Sequence, residues 1–462
     1  MHESDLHGWG IRLGLGEGDS PAYALPERGV LVIGPPRSGK TSSIVVPNVL
    51  AAGGPVVSAS TKPDVLAATA AARSRIGECM LFDPSGRSDV PDGVRRVAWS
   101  PLGSSLEWDG ANQMAETMVL VARPGANRGE AVHWTERAQA LLAPAFHAAA
   151  LDGMEMERLL YLVNRREGRE LVAILARSDA EIALSTLEGV LRTEDREQSG
   201  IWSTASSVLA GYRSEQAVRS ASGTSLDFDV FTRGTGTLYV CSPSEVQQNC
   251  APLVAGLLRD ARAAGYRSHA ASCLGHAAGR PPLLLVLDEL ANIAPLPDLP
   301  SLVAEGGSQG VVTLASLQDL SQAVDRWGRL GEGLLSLFNT KLIFAGVGDT
   351  RTLEAISVLA GDRQVPSLSV TKGSRVPGLL GVLGRYSPPR TTCSTRTERR
   401  LPPDLIARGV EGHLLCIDGA TPSFVRSVAW FDHPLIAAAA TVRREPTFRS
   451  RQRVREASGR RR

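Results

Sequence analysis

The sequence predicts an α/β protein: a mainly parallel sheet flanked by helices, with an all-α domain inserted between its two halves. Three observations lead there. Residues 29–43 read as a buried strand, a glycine-containing loop and the start of a helix. Short apolar runs then alternate with helix-like stretches up to residue 111 and again after residue 223, the pattern of parallel strands joined by crossover helices. Between them, from about 112 to 222, apolar residues recur at i, i+3, i+4 and i+7, and strand signals are scarce. The expected division is 1–28, an N-terminal extension; 29–111, the first part of the sheet domain; 112–222, the all-α insertion; 223–440, the second part; and 441–462, a disordered Arg-rich tail.

The elements follow in order. Residues 1–28 are rich in glycine and charge and reach the first strand without a domain of their own. Val30 to Ile33 is the first core strand. The helix after the loop is expected to end at Pro47-Asn-Val-Leu50, and Gly53-Gly54-Pro55 makes a turn. Val56 to Ser58 and Cys79 to Phe82 are strands on either side of an Ala-rich helix. In the helical region Ala138, Leu141, Leu142 and Ala145 share one face, as do Met156, Leu159, Leu160 and Val163. His133-Trp134 at its front reads as a packing pair. Further strands are expected at Thr237 to Cys241, Leu283 to Leu287, Val311 to Ser316, Lys341 to Gly346 and His413 to Asp418, with a returning strand at Phe424 to Trp430. Leu253 to Ala264 reads as a helix. The stretches from Arg267 to Pro282 and from Ser367 to Arg400 read as a loop and a mobile excursion.

The whole chain sets outer bounds. Its 462 residues suffice for two or three domains, and 43% hydrophobic with 21% charged residues describes a globular protein with a large core. The six cysteines are scattered, with no C-x-x-C pair, which argues for a reducing compartment and against a Cys zinc site. There is no apolar run of about 18 residues, and the first residues lack the basic and apolar regions of a signal peptide. The expectation is a cytoplasmic protein, free or peripheral at the inner face of the cell membrane.

The loop carries the chemistry. Gly34-Pro-Pro-Arg-Ser-Gly-Lys-Thr41 fits G-x-x-x-x-G-K-[ST]. The phosphates of a nucleoside triphosphate are expected among Gly34, Pro35, Pro36, Arg37, Ser38, Gly39, Lys40, Thr41 and Ser42. The loop turns successive N–H groups inward, and the helix N-terminus adds partial positive charge. Lys40 is placed to meet the β and γ phosphates, and Thr41 offers a hydroxyl to Mg²⁺. Downstream, Asp288 and Glu289 end a strand of five apolar residues, which delivers both carboxylates to the sheet edge where ligands bind. Asp288 is expected to hold Mg²⁺ through water, and Glu289 to act as general base. Gln318, at the end of the following strand, is the candidate γ-phosphate sensor. The distance along the chain from Lys40 to Asp288 exceeds what a minimal P-loop domain needs, and the inserted helices account for it.

Several blocks in this order resemble the coupling ATPases of type IV secretion and conjugation, the TraG/TraD type. They are the loop with Val46-Pro-Asn-Val-Leu50, Leu287-Asp-Glu-Leu-Ala-Asn-Ile293, Ser308 to Gln322, Phe338-Asn-Thr-Lys341, Asp349 to Gly361 and Leu401-Pro-Pro-Asp-Leu405. The resemblance implies a RecA-like P-loop ATPase with an inserted helical domain, ATP and Mg²⁺ as its ligands, and a homohexamer. It further implies passage of DNA, with little sequence preference and often with an attached relaxase, toward secretion-channel proteins.

Two departures from the family pattern bear on this. Family members usually begin with transmembrane helices, whereas this chain starts almost at the nucleotide domain. Either it docks on a membrane-protein partner or Met1 is not the natural start. Second, Glu305-Gly-Gly-Ser308 stands where related motors often carry an arginine, which leaves Arg351 as the substitute trans-acting candidate. From Arg443 onward nine arginines face two glutamates, either a solubilising tail or a tether for nucleic acid or acidic lipid. Two other readings stay open: a DNA pump of the FtsK/HerA type, and a nucleotide-gated cargo-docking platform with little turnover.

Overall fold

The computed structural model describes residues 10–124, 130–223, 226–243, 245, 247–276, 280–371, 375–376, 385–386 and 390–441. The Arg-rich tail lies outside them.

The sheet strands are β1 (Arg12–Leu15), β2 (Pro21–Tyr23), β3 (Val30–Ile33), β4 (Val56–Ser60), β5 (Cys79–Phe82), β6 (Val94–Arg96), β7 (Thr237–Cys241), β8 (Leu283–Leu287), β9 (Val311–Leu317) and β10 (Thr340–Ile343). Beyond two separate two-stranded pairs, β11 (Asp362–Thr371) with β14 (Arg390–Arg399) and β12 (Arg375–Val376) with β13 (Arg385–Tyr386), come β15 (His413–Asp418) and β16 (Thr421–Arg426). Twelve of these strands form one sheet in the order β2-β1-β16-β15-β10-β3-β9-β8-β4-β7-β5-β6. From β10 to β6 every neighbouring pair is parallel. The edge from β15 to β2 is antiparallel. Within the expected N-terminal extension, β1 and β2 close one edge of the sheet.

Successive strand residues point to opposite faces, and the core divides accordingly. Leu31 and Ile33 of β3, with Leu283, Leu285 and Leu287 of β8, belong to the larger apolar core. Val30, Val32 and Val286 belong to the smaller one on the other face. The larger core continues without a break into the helices between Trp108 and Ser220. Helix Trp108–Ala122 packs against both helix Glu130–Leu151 and helix Gln247–Ala271. Trp134 seats on Gly200, where an added Cβ would meet its ring at 2.4 Å. The His133 ring stands edge-on to the Trp134 ring at 5.2 Å.

Three readings of the chain change. The expected loop from Arg267 is instead helical through His276, because Gln247–Ala271 runs on into a wider turn, Ser272–His276. Within the expected mobile excursion, β11 and β14 pair over ten residues each, from Asp362 opposite Arg399 to Thr371 opposite Arg390. The part at 372–374, 377–384 and 387–389 lies outside the described residues. The returning strand ends at Arg426, and Trp430 sits in a turn beyond it.

A buried cation ties the smaller layer together. Arg73 is fully enclosed on helix Asp64–Ile76 and is held there by uncharged oxygens. Its guanidinium donates to Thr237 Oγ1 (2.7 Å) and to the carbonyls of Gly54 (3.0 Å), Thr235 (2.9 Å) and Ala52. Burial lowers its pKa. Arg73→Ala is expected to orphan those carbonyls and cost roughly 3 kcal/mol, and Arg73→Lys to recover little of it because the planar fork is lost. Denaturant midpoints of the two variants check this.

Candidate nucleotide site

The loop between β3 and its helix is shaped by two glycines. At Gly34 a Cβ would lie 2.7 Å from Phe344 Cβ and 2.8 Å from Ser38 Oγ. Gly39 has φ +96°, a conformation that side chains rarely adopt. Arg37 takes φ +63° between them. The helix then opens with a wide turn, Thr41–Val45, before regular Val46–Ala51. Pro47 explains the widening, since it has no N–H to return to Ser43 and its ring crowds that carbonyl. The Val46 N–H accordingly reaches Thr41 O. The helix continues through Pro47 and ends at Ala51, directly after the expected Pro47-Asn-Val-Leu50 end.

Three strand ends deliver the acids and their support. In the sheet β9 lies between β3 and β8, so the strand from the downstream block separates the loop from the carboxylates. Thr41 Oγ1 donates to Asp288 Oδ2 at 3.0 Å, and Ser316 Oγ on β9 donates to Asp288 Oδ1 at 2.7 Å. The same Ser316 hydroxyl accepts the Glu289 N–H at 3.0 Å. Glu289 leaves the strand at φ 59°, ψ 52°, a left-handed conformation uncommon outside glycine and of the kind that clusters at functional sites. Its Oε2 accepts from Thr61 Oγ1 at 3.2 Å and from Asn292 Nδ2 at 3.3 Å.

The Lys40 ammonium, 8% exposed, donates to the carbonyls of Gly34 (2.5 Å) and Pro35 (3.0 Å). Burial lowers its pKa, against the opposing pull of Asp288 and Glu289. The Asp288 carboxyl is pushed up from its ordinary value chiefly by burial, with the Ser316 and Thr41 hydrogen bonds opposing. A buried carboxylate facing a hydroxyl at the N-terminal end of a helix is a hard-oxygen set of the kind Mg²⁺ takes. A divalent cation there would relieve the desolvation of Asp288. The residues fit the metal.

Pro36, Arg37, Ser38, Gly39, Lys40, Thr41, Ser42, Asp288, Glu289 and Gln318 line one cleft of about 730 Å³. Gly34 and Pro35 contribute through their carbonyls to Lys40. The backbone N–H of Gln318 is held by Gln322 Oε1 at 3.0 Å. Arg351 is exposed on helix Thr350–Leu359 and does not line the cleft of its own chain; a trans-acting residue serves the cleft of a neighbouring copy. Sequence reasoning missed Thr61, Lys62, Ser316, Asn292, Trp430 and Phe431. Ser316 had a visible signal, a hydroxyl in a mostly apolar strand two residues before Gln318. Ser316→Ala is expected to lower nucleotide turnover about tenfold by freeing Asp288 and the Glu289 amide, with little change in fold. Phosphate-release kinetics alongside a melting curve separate the two effects.

Sheet order, loop and paired acids together define a P-loop nucleotide-binding fold of the RecA-like class. Residues 282–409 match the family described as the TraM recognition site of TraD and TraG. No curated protein sequence matches the chain. Among solved structures the chain is similar to the bacterial conjugative coupling protein TrwBdeltaN70 in its unbound monoclinic form, with TM-score 0.68 and 18% identity over 90% of this chain and 88% of that one. It is similar to the plasmid coupling protein TrwB in complex with ADP and Mg²⁺ (TM-score 0.66, 17% identity, 90% and 88% covered). The TrwB complex with the non-hydrolysable GTP analogue GDPNP gives TM-score 0.65 and 18% identity over 87% and 86%. The chain shares the fold of these coupling-protein structures, and the family resemblance is matched in sequence over residues 282–409. Among the described residues no helix is long and apolar enough to cross a membrane.

Proposed function

We propose that this protein is a coupling ATPase that uses ATP and Mg²⁺ to engage DNA and move it, with an attached relaxase where one is present, toward a type IV secretion or conjugation channel. The observation that carries the reading is the linked set Thr41–Asp288–Ser316–Glu289 beside Lys40, assembled from three strand ends remote along the chain. Bound nucleotide complexes of TrwB, with ADP and Mg²⁺ and with nucleotide analogues, support the choice of ligand.

The roles follow from the geometry. Lys40 exchanges two loop carbonyls for phosphate oxygens, which are stronger acceptors. Thr41 and Asp288 hold Mg²⁺, whose chemistry is to neutralise charge on the transferring phosphoryl group. Glu289 takes the proton of the attacking water, and Thr61 and Asn292 hold its carboxylate in place. Gln318 senses the γ-phosphate.

Residues 29–111 and 223–440, with the edge strands β1 and β2, make the nucleotide domain and 112–222 the helical insertion. Six copies form the ring, with Arg351 as the trans-acting arginine. Residues 282–409 supply a docking surface for relaxosome proteins, as the matched family's description suggests. A membrane-protein partner holds the assembly at the inner face of the membrane.

DNA-stimulated phosphate release by the purified chain tests the motor. Stimulation by DNA of unrelated sequences supports it, and ATP binding without DNA-dependent turnover favours the docking platform. The nine arginines after residue 442 are the proposed backbone tether. Deleting 443–462 is expected to weaken DNA binding and flatten its salt dependence, each arginine on a phosphate contributing about 0.9 to the slope of log K on log salt.

A further inference from the structure

We propose that Trp430 and Phe431 form the seat of the nucleobase, an assignment that rests on the triphosphate reading of the same cleft. Both residues line the cleft that holds Lys40, Asp288 and Glu289. Their rings meet edge to face, with centroids 5.7 Å apart and planes at 77°. Phe431 leaves 57% of its surface in solvent. In a chain only 5% aromatic, an exposed ring at the margin of a phosphate-binding loop is an apolar surface that wants a flat partner.

The pair is anchored at both ends to the elements that carry the loop. Because the wide turn sends the Val46 N–H to Thr41 O, the Ser42 carbonyl is left free of its usual helical partner. The Trp430 N–H takes it, at 2.9 Å. Beyond the rings, helix Pro434–Thr441 packs against helices Asp64–Ile76 and Val46–Ala51, and its Ile436 is buried. The aromatic wall is thus set at a fixed distance from the phosphate seat by the same turn that shapes the loop. A polar end with Lys40 and helix N–H groups, and an apolar end of ring faces, match the two ends of a nucleotide. Base–aromatic stacking supplies enough affinity for the effect to be read.

The test compares Mg·ATP with Mg·tripolyphosphate, which keeps the phosphates and lacks the base, binding to the full chain by calorimetry. Phe431→Ala is expected to weaken ATP about tenfold while leaving tripolyphosphate within about twofold, and Phe431→Tyr to restore ATP. Trp430→Phe, which keeps a ring and the backbone anchor, is expected to change ATP binding less than Phe431→Ala does. Unchanged ATP affinity in Phe431→Ala, or equal weakening of both ligands, would overturn the assignment. The underlying reading fails separately: a wild-type chain that binds neither ligand removes the nucleotide and its base seat together. A wild type that binds both, with Phe431→Ala neutral, removes the base seat alone.

Discussion

Glu289→Gln is expected to lower ATP turnover about 10³-fold while leaving ATP binding nearly intact, the loss ordinarily attached to a positioned general base. The side chain keeps its shape and one oxygen that can accept from Thr61 or Asn292, so the strand end and the left-handed backbone at 289 are preserved. What disappears is the ability to take a proton from water. Single-turnover phosphate release beside equilibrium ATP binding measures the two quantities apart. A fall in binding equal to the fall in rate would instead assign Glu289 a structural part.

Lys40→Ala gives the opposite split, with ATP affinity falling about 10²-fold or more and turnover lost with it. In the free chain the ammonium is enclosed and satisfied by the carbonyls of Gly34 and Pro35. The nearby acids partly oppose the effect of its burial, and an arriving triphosphate gains a positioned charge. Lys40→Arg is not expected to rescue binding, since a planar fork cannot reproduce a compact ammonium at the end of a four-carbon stem. Titration of a fluorescent ATP analogue against the three proteins checks the order.

Much of this site was legible in the sequence because its chemistry imposes local spacing. The loop needs Gly34, Gly39, Lys40 and Thr41 at set positions, and the acids need an apolar strand ahead of them. Both conditions are visible without a fold. The aromatic wall was not legible, because no spacing rule links residue 430 to residue 42. The link is a single backbone hydrogen bond made possible by Pro47. The same distinction separates the strands. β3, β8 and β9 are buried on both faces and read as apolar runs. The described side chains of β11 and β14 are almost all exposed on either face, so no alternation betrays a ribbon held by its backbone ladder. β1 and β2 are three or four residues long, too short for periodicity to register, and their place at the sheet edge depends on β16 from the far end of the chain.

The most direct measurement is an experimental density map of the full chain with Mg²⁺ and a non-hydrolysable ATP analogue. The account predicts β and γ phosphates against the backbone N–H groups of residues 39–42 and the Lys40 ammonium, with the metal beside Thr41 and Asp288 and Glu289 facing the γ-phosphate. A nucleotide bound elsewhere, or phosphates in the loop with the acids of β8 turned away from them, would contradict it.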